Sequence, residues 1–142
     1  MVRTVAVLLI PLSLLAGGCQ ALPAAGRLPT PSEWRLVSFG PTGGEVPLVP
    51  GSIISLSFDA EARAGGSAGC NAYGGDVRVG ASSINFAALT STLMACQDPR
   101  IMEQERRYLD ALQSASSYQV VEQVLTIHYP EGQLNFLAAP HE

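Results

Sequence analysis

A chain of 142 residues with 47% hydrophobic side chains is large enough for one domain with its own core and short for two. Its net charge of −4 comes with no lysine, which excludes Schiff-base chemistry, serine–lysine dyads and the lysine-bearing phosphate loop. The acidic balance and the lack of a basic cluster also argue against nucleic acid as a partner and against electrostatic docking on anionic lipid.

In chain order, the first element is an apolar run from Val5 to Ala16 behind a lone early charge, Arg3. It contains Pro11 and is too short to span a bilayer as a mature helix. It ends in Leu14-Leu15-Ala16-Gly17-Gly18-Cys19, small residues leading to a cysteine. A short hydrophobic stretch with that exit reads as a secretory leader. The cysteine makes it resemble a bacterial lipoprotein signal, in which the thiol is lipidated and becomes the new N-terminus; Leu15 stands one place further from the cysteine than is usual there. The expectation is a leader over 1–18, lipidation at Cys19 and attachment to the bacterial cell envelope through acyl chains, of which a stable anchor needs more than one. Gln20 is not the aspartate that commonly retains lipoproteins at the inner membrane, which points to the periplasmic face of the outer membrane. Residues 19–32, with Pro23, Pro29 and Pro31 among alanines, read as an extended tether.

The folded domain is expected over 33–139. Trp34 to Phe39 is β-prone and ends at Gly40-Pro41-Thr42-Gly43-Gly44; Pro47 and Pro50 keep the next stretch irregular. Ile54, Leu56 and Phe58 alternate with Ser55 and Ser57, the pattern of a half-buried strand. After a turn at Asp59 to Ala62, Arg63 to Cys70 returns as a glycine-broken strand, as a bent sheet requires. Val77 and Val79, then Ile84 and Phe86, form a short pair, and Leu89 to Cys96 follows as a strand or an irregular extended segment. Asp98 as N-cap and Pro99 at the first helical position open one helix. Ile101, Met102, Tyr108, Leu109 and Leu112 give it an apolar side, and Glu103 and Arg107 have the spacing of an ion pair. Strands at Ser117–Val121, Val124–Tyr129 and 133–138 close the chain, with turns at Glu122-Gln123 and Pro130-Glu131-Gly132.

Setting Cys19 aside leaves Cys70 and Cys96. In an oxidising envelope two remaining thiols read best as a disulfide, with a metal site or a redox pair as alternatives. Neither a nearby histidine nor a Cys-x-x-Cys spacing supports those alternatives. No metal or other cofactor is expected.

The segments Gly66-Ser67-Ala68-Gly69-Cys70-Asn71-Ala72-Tyr73-Gly74-Gly75 and Thr92-Leu93-Met94-Ala95-Cys96 carry a wider likeness. Together they resemble the META/HslJ domain family, with its G-x-x-G-C-N-x-Y-x-G and T-x-M-A-C motifs. Trp34-x-Leu36, Phe58-Asp59, Tyr108-Leu109-x-x-Leu112, Val124-Leu125-x-Ile127 and Gly132-x-Leu134-x-Phe136 fit as well, so the likeness runs from about Trp34 to Phe136. Ala64-Gly65 departs from it, standing where a larger apolar residue is usual. The resemblance implies a mainly β fold: a small, strongly bent antiparallel sheet or lipocalin-like barrel with one packed α-helix. It also implies an envelope setting and a loose association with stress, and no established enzyme activity.

Asn71, Tyr73 and Thr92 are the candidates for a small binding surface. The competing reading gives Asn71 and Thr92 to local backbone hydrogen bonds and lays Tyr73 over the disulfide. Glu103 and Glu105 diverge on a helix and read as a solvated face. His128 reads as a partly exposed strand residue rather than the base of a triad, because no serine motif accompanies it; His141 lies in the tail. These observations describe a non-enzymatic, disulfide-stapled lipoprotein with a binding or support role and an envelope protein as partner. The alternative is a protein-inhibitor or small-ligand-binding barrel resembling lipoprotein lysozyme inhibitors.

Overall fold

The computed structural model describes residues 33–139. The leader, Cys19, the tether and His141 lie outside the described residues.

The sheet is built from β1 (Glu33–Gly40), β2 (Val46–Pro47), β3 (Ser55–Phe58), β4 (Arg63–Ser67), β5 (Ala72–Val79), β6 (Ile84–Ser91), β7 (Ser117–Val121), β8 (Val124–Tyr129) and β9 (Gly132–Ala138). The single helix among the described residues, α1 (Pro99–Gln113), connects β6 to β7. The strand order is β6-β5-β4-β3-β1-β9-β8-β7, with β2 paired to the far half of β1, and every pairing is antiparallel. The result is a strongly curled half-barrel, mainly β with one helix. Its two ends touch at one rim: Ser83 bridges Ser117, the Ile84 N–H donates to the Ser116 carbonyl (3.2 Å), and the Tyr118 N–H donates to the Ser82 carbonyl (2.8 Å).

Period-two alternation places the core. Trp34, Leu36, Ile54, Leu56, Phe58, Leu125, Ile127, Leu134 and Phe136 all point inward and are buried, while the serines between them on β3 stay half-exposed. Tight curling needs backbones to approach closely. At Gly132 a β-carbon would run into the Gly40 carbonyl, and at Gly66 into the Ser55 carbonyl, so these positions admit no side chain without moving a strand.

The helix starts as its sequence dictates. Asp98 is the N-cap, its side chain accepting the Arg100 N–H (2.9 Å), and Pro99 sits at the first helical position. Tyr108, Ala111 and Leu112 then close the barrel mouth from above.

Several expectations are corrected. The returning strand ends at Ser67, not Cys70, because Ala68 to Asn71 turns: the Ala68 N–H closes onto the Asn71 carbonyl (2.8 Å). The next strand begins at Ala72, well before Val77, and its partner β6 runs on to Ser91, with only Thr92 to Gln97 irregular. Met102 is exposed rather than packed. Glu103 pairs with Arg106 (2.6 Å), not Arg107, whose guanidinium lies over the Phe39 ring, 5.1 Å from its centre.

Candidate functional site

The Cys70–Cys96 disulfide forms, with the two α-carbons 5.9 Å apart. It ties the β4–β5 turn to the segment that leaves β6 for the helix. Of the three candidate residues, Asn71 and Thr92 lie beside it, the first buried and the second exposed, while Tyr73 turns away from it.

Asn71 is buried, at 4% exposure, and its amide is fully used. Its Oδ1 accepts from Thr92 Oγ1 (2.8 Å) and from the Met94 N–H (2.7 Å); its Nδ2 donates to the Met94 carbonyl (3.2 Å) and to Glu105 Oε1 (2.7 Å). Two donors and two acceptors exhaust the side chain's capacity. The Thr92 hydroxyl also accepts the Ala72 N–H (3.2 Å), so Thr92 continues the β5–β6 ladder through its side chain. Both residues act on local backbone, and Asn71 contributes no surface.

Tyr73 is corrected more sharply. It does not cover the disulfide; it points into the barrel. As the second residue of β5 it shares the inward face with Gly75 and Val77. Its hydroxyl donates to the Ser55 carbonyl (2.9 Å), which leaves its oxygen to accept the proton of Tyr108 (2.6 Å). The rings meet edge to face, 5.6 Å apart, and Tyr108 repeats the arrangement with Phe136 at 6.5 Å.

Burial drives both phenols, Tyr73 and Tyr108, upward, since a phenolate there would lose its water. An acid whose folded pKa lies above its unfolded value stabilises the fold fully below the unfolded value and loses that contribution as pH rises beyond it. Stability should therefore hold up to about pH 10 and then fall, by at most about 1.4 kcal/mol per pH unit for each tyrosine. Tyrosinate absorbance and loss of near-ultraviolet dichroism should rise together in one alkaline transition. That transition should be shallower in a Tyr73→Phe, Tyr108→Phe double variant.

The residue that sequence reasoning missed is Glu105. It is not on a solvated face: it is 9% exposed, and its carboxylate meets the β4–β5 turn. Oε2 accepts the N–H groups of Cys70 (3.1 Å) and Asn71 (2.7 Å), and Oε1 accepts Asn71 Nδ2. The neighbouring Gln104 is buried in the same way, accepting the Val49 N–H (2.6 Å) and donating to Ser52 Oγ (2.7 Å). The physical reason is that the first turns of α1 cross the barrel mouth, where loops leave backbone N–H groups with no strand partner. The signal available in the sequence was the turn itself: Gly69-Cys70-Asn71 must leave amides that need an acceptor.

What this network fixes is a loop. Met94 has both backbone polar groups bound to Asn71, yet the residue is 61% exposed and Leu93 is 97% exposed. The site thus consists of an exposed apolar turn held by a disulfide, an asparagine and a buried carboxylate. Among the described residues no histidine, cysteine and carboxylate cluster has the makings of a metal site.

The fold and these motifs place the chain in a family of small curled-sheet domains. The chain belongs to the META domain family, whose profile matches residues 28–141. Solved structures share the fold. An NMR structure of a protein from Burkholderia xenovorans is 25% identical, covers 78% of this chain and 83% of its own, and superposes with a TM-score of 0.64. A crystal structure of a DUF4847 family protein from Bacteroides vulgatus is 16% identical, covers 84% of this chain and 96% of its own, and has a TM-score of 0.57. No curated protein matches the chain.

Proposed function

We propose that this META domain is an envelope-anchored lipoprotein with a non-enzymatic binding role, and that the Thr92–Cys96 turn is the part that meets a protein partner. The observation that carries this reading is the one-sided use of Asn71: a fully satisfied buried amide fixes the backbone of Met94 while Leu93 and Met94 face water. Two neighbouring apolar residues presented to water on a fixed backbone suit a contact surface. The disulfide fits an oxidising compartment, and the Cys19 leader pattern supplies the anchor. A role in an envelope stress response belongs to the same reading.

The barrel interior is filled by Trp34, Leu56, Tyr108, Leu112, Leu125 and Phe136, all buried to within 2% of full occlusion. That supports a protein partner over a ligand held inside the barrel. A protein-inhibitor role, by likeness to lipoprotein lysozyme inhibitors, would use the same turn.

The test is in-cell photo-crosslinking from position 93. A defined adduct with one envelope protein is expected, absent when the probe sits at Asp76. With the probe kept at 93, Met94→Asp should abolish capture while changing stability by less than about 0.5 kcal/mol, as for other surface substitutions. No adduct from position 93 would refute the reading. Radiolabelled palmitate should enter the protein and fail to enter Cys19→Ala.

A further inference from the structure

The missing Glu103–Arg107 pair has a consequence on another face of the molecule. Both Glu103 oxygens are taken by Arg106, at 2.6 and 3.1 Å, and Arg106 also reaches Asp110 (2.9 Å). Arg107 is left stacked on Phe39 with no carboxylate at ion-pair distance among the described residues. It stands where two surface grooves meet. One, of about 410 Å³, runs between α1 and β2 with Val49 beyond it; the other, of about 430 Å³, runs towards the β8–β9 turn, and Phe39 and Arg107 line both. The first groove has the size of a small-ligand site, with apolar walls from Phe39, Val46, Pro47, Val49 and Pro99.

We propose that this groove binds a monocarboxylate with an apolar body. The carboxylate sits on the Arg107 guanidinium, whose planar fork suits it, and the body lies along Val46, Pro47 and Pro99. Arg100 also lines the groove, but Asp98 holds it through two hydrogen bonds from its Nε and one from its Nη2, the last at 2.7 Å. The rim sets the charge limit: Glu103 lines this groove, and Asp110 and Glu131 line the adjoining one, so a dianion meets repulsion that a single carboxylate at Arg107 avoids. A neutral apolar molecule leaves the guanidinium unused. Two sources share this chemistry, a free aliphatic acid and the C-terminal residue of a peptide.

The experiment is amide and arginine side-chain NMR of the full chain with its disulfide intact. It is titrated with octanoate, octanol, octyl phosphate, and the tripeptide Ala-Ala-Phe as free acid and as amide. Octanoate should shift the Arg107 Nε–H together with Val46 and Phe39. Octanol, and octanoate against Arg107→Ala, should bind roughly tenfold more weakly or worse, the loss of one charge-assisted hydrogen-bonded pair. Arg107→Lys should be intermediate, octyl phosphate weaker than octanoate, and Val46→Glu should block binding with Arg107 in place. Preference for the peptide acid over octanoate, with the amide inert, would assign the site to chain termini; the reverse would assign it to free acids. Equal binding of octanol and octanoate overturns the proposal, as does octanoate binding unchanged in a folded Arg107→Ala variant, shifts confined to another face, or no binding of any acid.

Discussion

Replacing Glu105 by alanine is expected to lower unfolding free energy by about 4 kcal/mol. Three N–H donors lose their acceptor at once, and each buried donor left unmade costs about 1–3 kcal/mol, with the half-buried Cys70 N–H partly rescued by water. For a domain of this size that corresponds to a fall in melting temperature of roughly 15–25 °C. Glu105→Gln should cost about half as much, because its oxygen replaces one acceptor while its amide faces a donor. The decisive measurement is a double-variant cycle by urea unfolding: adding Asn71→Ala to Glu105→Ala should cost much less than Asn71→Ala alone, since the two side chains act as one unit. Additive losses would show that the carboxylate and the amide hold separate things.

Removing the disulfide, by Cys70→Ser with Cys96→Ser, should cost roughly 3–4 kcal/mol for a closure of 26 residues. The effect lies mainly in the unfolded chain, so the denaturant slope should rise as the midpoint falls. The folded state should persist, because Asn71 joins the same two segments through Thr92 and Met94, and Glu105 ties the β4–β5 turn to α1. Amide exchange separates the two effects. In the disulfide-free protein the Met94 N–H, bound to Asn71, should remain protected relative to the Leu93 N–H. In Glu105→Ala it should lose that protection even with the disulfide formed.

Much of the fold was legible because strands and caps are local statements. The alternation of Ile54, Leu56 and Phe58, the paired Leu125–Ile127 and Leu134–Phe136, and the Asp98–Pro99 helix start each follow from a handful of adjacent residues. The Cys70–Cys96 pairing followed from parity once Cys19 was set aside. The errors share a different cause. Tyr73, Glu105 and Arg107 are decided by which element lies across from them, and that depends on the curl of the sheet and on where α1 crosses it. A polar residue on a helix reads as solvated until a turn with unpaired amides is placed against it. A tyrosine beside a cysteine reads as a cover for the bridge until the strand it belongs to is known to begin at Ala72.

The contact between the first residues of β6 and β7 gives this cylinder a spine and a clasp. Everything from β5 round to β8 is continuous ladder, whereas the two free ends are fastened at one rim by the two backbone hydrogen bonds of the Ser83–Ser117 bridge and by the side chains of Asn85 and Tyr118. Such a shape opens like a book: the clasp releases at far less than the cost of unfolding, and the covers part while the binding stays sewn. Amide exchange at Ile84 and Tyr118 is expected to report that release ahead of Leu125 or Leu134, while Ser117–Val121 stays paired with β8.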